Sequence, residues 1–206
     1  MDSNNARPKL RRAVVPQRRH GKARVAAVLE AAAAVIAENG YDGATMAGIA
    51  ARAKAPIGSL YRFFPNKEIL ADALVQRYGV LVNEAFDVIE QEAARQPADF
   101  VADAILDFST HLQNETKAMA GLLESRADWS AKRQKFRELV LARIAGILQQ
   151  RSPALSKAAA RDVAVILLHH MKIMKALKSG QDVPNSPGAA DELRRLNRLY
   201  LAHRLR

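Results

Sequence analysis

The sequence predicts an all-α protein on three observations: a helix, tight turn and helix packed into residues 45–64, an alanine-rich amphipathic run before it, and a series of apolar stripes at helical spacing after it. In the first run, Val25, Val28, Leu29, Ala32 and Ile36 fall at i, i+3, i+4, i+7 and i+11, the face of one helix over about residues 21–38. Asn39-Gly40 ends it, since both residues tolerate a left-handed cap. Thr45 then offers a side-chain oxygen to the orphan amides of a new helix, on which Ile49, Ala50 and Ala53 form a small apolar face. Lys54-Ala55-Pro56 interrupts that helix, because proline disfavours helix in the residue before it and suits the first turn of the next. On the second short helix Leu60 and Phe64 point inward and leave Ile57, Ser59, Tyr61 and Arg62 outside. The expected core of this three-helix domain is Val25, Leu29, Ile36, Met46, Ile49, Leu60 and Phe64.

Beyond it, Pro65 and Asn66 stop one helix and cap another that runs from Lys67 through Leu70, Leu74, Tyr78 and Ile89 to about Ala94. At its rise per residue that helix is about 40 Å long, too long for the small domain alone, and it reads as a strut into a carboxy-terminal body. Pro97 precedes a helix with Val101, Ala104, Ile105, Phe108 and Leu112 on one face and a row of Asp99, Asp103, Asp107, His111 and Glu115 on another. One helix seldom closes a metal site, so that row is expected to be a solvated acidic face. A short apolar helix near Met119, Leu122 and Leu123 and a longer one from Trp129 to Gln150 follow. Ser156 caps a helix from Lys157 to about Lys178, with Val163, Leu167, His170 and Met174 as one stripe, Ile166 and Ile173 widening it, and Val165 and Leu168 outside it. Ser186-Pro187 opens the last helix, which carries Leu193, Leu196, Leu199, Tyr200 and His203. The adjacent His169 and His170 point different ways and do not form a chelating pair. The organisation expected is a basic arm over residues 1–18, a helix-turn-helix domain over 19–66 and a helical body over 67–206.

Of the formal charge of +11, residues 1–24 carry +7, from eight basic residues against Asp2. A polyanion is the natural partner of such a segment. An anionic membrane fits less well, because Pro8 and Pro16 break the stretch where an apolar helical face would have to form. No apolar run approaches the roughly 20 residues of a membrane span, which leaves a cytoplasmic location as the default. The absence of cysteine removes disulfides, zinc fingers and thiol chemistry. No Gly-rich phosphate loop, GxSxG elbow or HExxH pair is present, so catalysis is not expected, nor any metal or cofactor.

The helix-turn-helix arrangement places its second helix in the major groove of DNA. Asn39-Gly40-Tyr41, Thr45-Met46, Ile49-Ala50, Ala53 and the run from Gly58 to Glu68, GSLYRFFPNKE, resemble the amino-terminal domain of the TetR (tetracycline repressor-like) transcriptional regulators over about residues 20–75. Two positions depart from the family pattern: Lys54 stands where the family usually has Gly, and Pro56 where it often has Ser or Thr. A positive φ at Lys54 would cost roughly 1–2 kcal/mol. The resemblance implies a homodimer on double-stranded DNA bearing a palindromic operator, a repressor's role and release by a small-molecule effector. Thr45, Tyr61 and Lys67 are the expected phosphate contacts. Ile57, Gly58, Ser59 and Arg62, with Pro56 beside them, face the bases, and Arg18, Arg19, Lys22 and Arg24 form the basic approach. Phe108, His111, Leu112, Met119, Leu122, Leu123, Trp129, Phe136 and Val140 are the expected lining of an effector cavity, although any bundle interior offers the same residue types. Val165, Leu168, Met171, Leu193, Leu196 and Tyr200 are the expected dimer contacts. The alternatives are a nonspecific architectural DNA binder, favoured by the basic start, and a helical ligand-binding protein without a role in gene regulation.

Overall fold

The computed structural model describes residues 19–111, 118–119, 122, 129–180 and 186–205, and among them there are eight helices and no strand. They pack as two compact units. One holds the described residues up to Arg77 with Ala118, Met119 and Leu122, and the other holds residues 78–111, 129–180 and 186–205.

The first unit contains α1 (Arg19–Gly43), α2 (Met46–Arg52), α3 (Ile57–Phe63) and the start of α4 (Lys67–Ala93). Its interior is Val28, Leu29, Ala32, Ile36, Met46, Ile49, Leu60, Phe63, Phe64, Leu70 and Leu74, all buried. Val25, expected among them, is only half-buried: it lies in an early turn of α1, and Val28 takes the inward position one turn later. Gly40 breaks α1 as expected, with φ 72° and ψ 170°, a backbone that a Cβ would strain. The Gly48 N–H donates to Thr45 Oγ1 at 3.0 Å, and the Ile69 N–H donates to Asn66 Oδ1 at 2.8 Å, so both predicted caps form. Arg77 ties α4 to α1 by donating to the Ala26 carbonyl at 3.0 Å and to Glu30 at 3.0 Å.

The second unit holds α4 from Tyr78 onward, α5 (Ala98–His111), α6 (Ser130–Arg151), α7 (Lys157–Ser179) and α8 (Ala189–Arg204). α6 packs on α7, and α5 on both α7 and α8. Phe86, Ile105, Leu106, Ile144, Ile147, Leu148 and Leu167 form its fully buried centre. Ser156 caps α7 by accepting from the Ala159 N–H, and Gly180 closes it at φ 65°. The last helix begins at Ala189 rather than at Pro187, because residues 186–189 form a turn in which the Ala189 N–H donates to the Ser186 carbonyl at 3.1 Å.

The acidic row of α5 is solvated at Asp99 but not at Asp103 and Asp107, while Glu115 and the side chain of His111 lie outside the described residues. Asp103 pairs with Arg194 at 3.0 Å and with Arg198, while Asp107 pairs with Arg194 at 2.9 Å and with Lys178 at 2.8 Å. Asp103/Asp107 and Arg194/Arg198 each stand one helical turn apart, so two i, i+4 ladders of opposite sign meet face to face. His170 Nδ1 lies 2.8 Å from Asn197 Oδ1, and fully buried Asn197 also donates to the Leu193 carbonyl at 2.7 Å. His169 is exposed, so the two histidines diverge as expected.

Burial alone pushes the carboxyls of Asp103 and Asp107 up, but the hydrogen bonds from Arg198, Arg194 and Lys178 outweigh it and hold both below the usual carboxylate range. A carboxyl whose pKa is depressed by folding stabilises the native state above its unfolded pKa, about 3.9, and loses that contribution as pH falls through the lower folded value. Thermal melts of the wild type and of Asp103→Asn/Asp107→Asn should therefore differ at pH 6 and draw together as pH falls from about 4 through the lower folded values. A constant gap from pH 6 to pH 2 would count against the ladder.

Candidate nucleic-acid interface

α3 is a seven-residue helix with one sealed side and one open side. Leu60, Phe63 and Phe64 are buried, whereas Ile57, Gly58, Tyr61 and Arg62 are exposed. The division follows from helical spacing, since residues 57, 58, 61 and 62 share a face one turn long. Pro56 sets the start of the helix at φ −58°, ψ 132°, and its carbonyl accepts from the N–H groups of Ser59 and Leu60. A Cβ on Gly58 would meet nothing within 4 Å, so packing within the protein does not require glycine there. Ser59 is half-buried, and Arg24 Nη1 on α1 donates to its Oγ at 3.4 Å. Thr45, exposed at the head of α2, keeps its hydroxyl oxygen on the cap described above.

Lys67, expected at a DNA phosphate, has its Nζ donating to the carbonyls of Tyr41 at 2.9 Å, Asp42 at 3.3 Å and Ala44 at 3.1 Å, 4.4 Å from the centre of the Tyr41 ring. An ammonium has three protons, and these three carbonyls at and just after the end of α1 take them. Lys22 and Arg24 are exposed on α1. Arg18 lies outside the described residues, as does the side chain of Arg19. Lys54 has φ 49°, and it is the non-glycine residue with positive φ among those described. That conformation costs a residue with a Cβ roughly 1–2 kcal/mol.

On the second unit an apolar face stays open. Ile166, Ile173, Leu196, Leu199 and Tyr200 are all exposed, and α7 and α8 frame an open groove lined by Ile173, Leu177, Ala189, Leu193, Leu196 and Leu199, with Glu192 and Arg195 at its rim. Of the expected dimer contacts, Leu196 and Tyr200 are on this face, Leu193 lines the groove, and Val165 and Leu168 are half-buried. Met171 is 5% exposed and belongs to the core. The phase of α7 explains the exchange. Ile166 and Ile173, expected to widen the inward stripe, face out, and Met171 turns in with Leu167 and Met174.

Of the expected cavity residues, Phe108, Trp129 and Val140 are buried and Phe136 is half-buried within the second unit. Phe108 stacks on Phe86 at 4.1 Å and Phe136 leans on Tyr78 at 5.0 Å, so at these positions aromatic packing accounts for the side chains. Met119 and Leu122 are buried and belong to the first unit. Leu112, Leu123 and the side chain of His111 lie outside the described residues. Among the described residues no group of three or more His, Asp or Glu could hold a metal, and no helix is long and apolar enough to cross a membrane.

A short helix with a buried back and an open face, set after a tight turn on a three-helix core, is a helix-turn-helix motif. Residues 28–74 match the family model of the bacterial regulatory proteins of the tetR family. The match takes in α2, α3 and the adjoining parts of α1 and α4. The A-factor receptor protein of Streptomyces griseus is 31% identical over 94 residues, a match that covers 46% of this chain and 32% of that protein. The chain thus spans about a third of the length of this curated relative. A TetR-like transcriptional regulator from Rhodococcus sp. RHA1 superposes with a TM-score of 0.63 at 20% identity, covering 93% of this chain and 97% of the other. Salmonella enterica GusR does so with a TM-score of 0.60 at 17% identity, covering 89% and 94%. At these identities the two structures speak for the fold alone.

Proposed function

We propose that the protein is a transcriptional repressor that grips a palindromic operator as a homodimer, with α3 of each protomer in the major groove. The observation that carries this reading is the two-sidedness of α3: Leu60 and Phe63 anchor it, and Ile57, Gly58, Tyr61 and Arg62 are left open to solvent. Ile57 offers an apolar surface for a thymine methyl, Arg62 a fork for guanine, and Tyr61 and Thr45 reach phosphates. Gly58 lets the helix approach closely. The homodimer is supported by the apolar face of α7 and α8, because a two-fold axis lets one patch cover its own copy. Two identical reading helices then need half-sites about 34–36 Å apart or a multiple of that. Selection of duplexes from random DNA tests the reading: a two-fold symmetric consensus is expected, and binding that falls equally on random and selected duplexes would favour an architectural binder.

Arg62→Ala should relax the preference at one base pair of each half-site at a cost of about 1–3 kcal/mol, read from binding to a panel of single-base operator variants. A uniform loss over the whole panel would make Arg62 an anchoring residue.

Control by a small molecule is a separate part of the proposal, supported by the family and by a relative that is named a receptor. An effector lowers operator affinity only by the difference between its affinities for the free and DNA-bound forms. Calorimetry with compound libraries, followed by operator release, tests it.

A further inference from the structure

We propose that Lys54 is a DNA-backbone contact, holding a phosphate at the edge of the groove that α3 enters; the inference rests on the reading of the protein as a DNA-binding regulator. Two observations carry it. The first is conformational: Lys54 sits at φ 49°, a backbone that glycine adopts without strain and a lysine does not. Strain of this kind persists where the side chain has a task, and the fold gives this side chain none.

The second observation is electrostatic. Two neighbouring cations are engaged within the protein, Arg52 with Glu38 at 2.6 Å and Lys67 with three carbonyls, and Arg62 lies on the base-facing side of α3. Lys54 is exposed, and its ammonium has no hydrogen bond or ion pair among the described residues. It stands two residues before Pro56, at the entry to α3. The major groove is about 12 Å wide, so a helix along its middle lies about 6 Å from either wall of phosphates, roughly the length of an extended lysine. A cation on the turn that leads into the reading helix is therefore placed to meet the backbone beside it, where it fixes position without reading sequence.

The test uses the full chain and a duplex selected from random DNA by the wild type, with Lys54→Gly, Lys54→Asn and Lys54→Arg measured over a salt series. Glycine and asparagine both accept the left-handed backbone while removing the charge. Both should bind roughly ten-fold more weakly, with a slope of log K against log salt shallower by about two, one phosphate for each half-site. Lys54→Arg should keep affinity and slope. Base preference should be the same in all four proteins, and the melting temperature of Lys54→Gly should not fall. Equal binding by Lys54→Gly and wild type would overturn the inference, as would a loss of binding that tracks a loss of thermal stability. A wild type that selects no duplex at all would instead defeat the DNA-binding reading, and this inference with it.

Discussion

Leu196→Asp is expected to leave the protein monomeric and to weaken operator binding by about 10²- to 10⁴-fold. Leu196 is 53% exposed near the middle of an apolar face that also holds Ile173, Leu199 and Tyr200. In a protomer that side chain touches mostly water, so the substitution should leave the fold of the second unit intact. In a two-fold assembly the same change occurs twice across one axis, and two carboxylates would have to lose their water without a partner. The loss in DNA binding follows from geometry: a lone protomer reaches one half-site and forfeits the effective concentration that a linked second reading helix provides. Sedimentation equilibrium gives the mass, and titration of a selected duplex gives the affinity. A dimer of undiminished stability would move the interface to another face of the molecule.

Lys67→Met is expected to destabilise the first unit by about 3 kcal/mol, since hydrogen bonds to a charged group are worth about 1.5–3 kcal/mol each and do not add fully. Methionine keeps the length of the stem but supplies no donor to the carbonyls of Tyr41, Asp42 and Ala44. Tyr41 and Ala44 are buried residues, so water replaces the ammonium poorly there. Melting temperature and resistance to limited proteolysis between α1 and α2 should both fall. Operator affinity, corrected for the folded fraction, should change little. A protein that melted like the wild type but bound DNA with a shallower salt slope would restore Lys67 to the phosphate backbone.

These two residues also show what could and could not be read from the chain. The boundaries of the helix-turn-helix were legible, because Thr45, Gly40, Pro56 and Asn66 act through their own backbone or that of residues three positions away. The left-handed turn at Lys54 was legible only through the resemblance, since the family usually has Gly there. The fate of Lys67 was not, since its partners lie 23 to 26 residues earlier and meet it only once α4 has docked against the end of α1. Nor was the phase of α7. A helix apolar on several sides gives no local sign of which side its neighbours cover, and so Met171 and Ile173 exchanged places. The acidic row on α5 carried its answer in the sequence, in the matching four-residue spacing of Arg194 and Arg198, but only the fold brings those residues opposite Asp103 and Asp107. Phe108 and Phe136 looked alike as cavity lining and as packing, because both uses need the same aromatic residue at the same period.

The paired ladders between α5 and α8 act as a vernier. Each repeats every four residues, so sliding α8 by part of a turn would leave guanidinium groups opposite neutral side chains, and only one axial setting satisfies both rungs. Leu196 and Leu199 project from the far side of that same helix, and their height along the bundle is therefore set by charges they never touch.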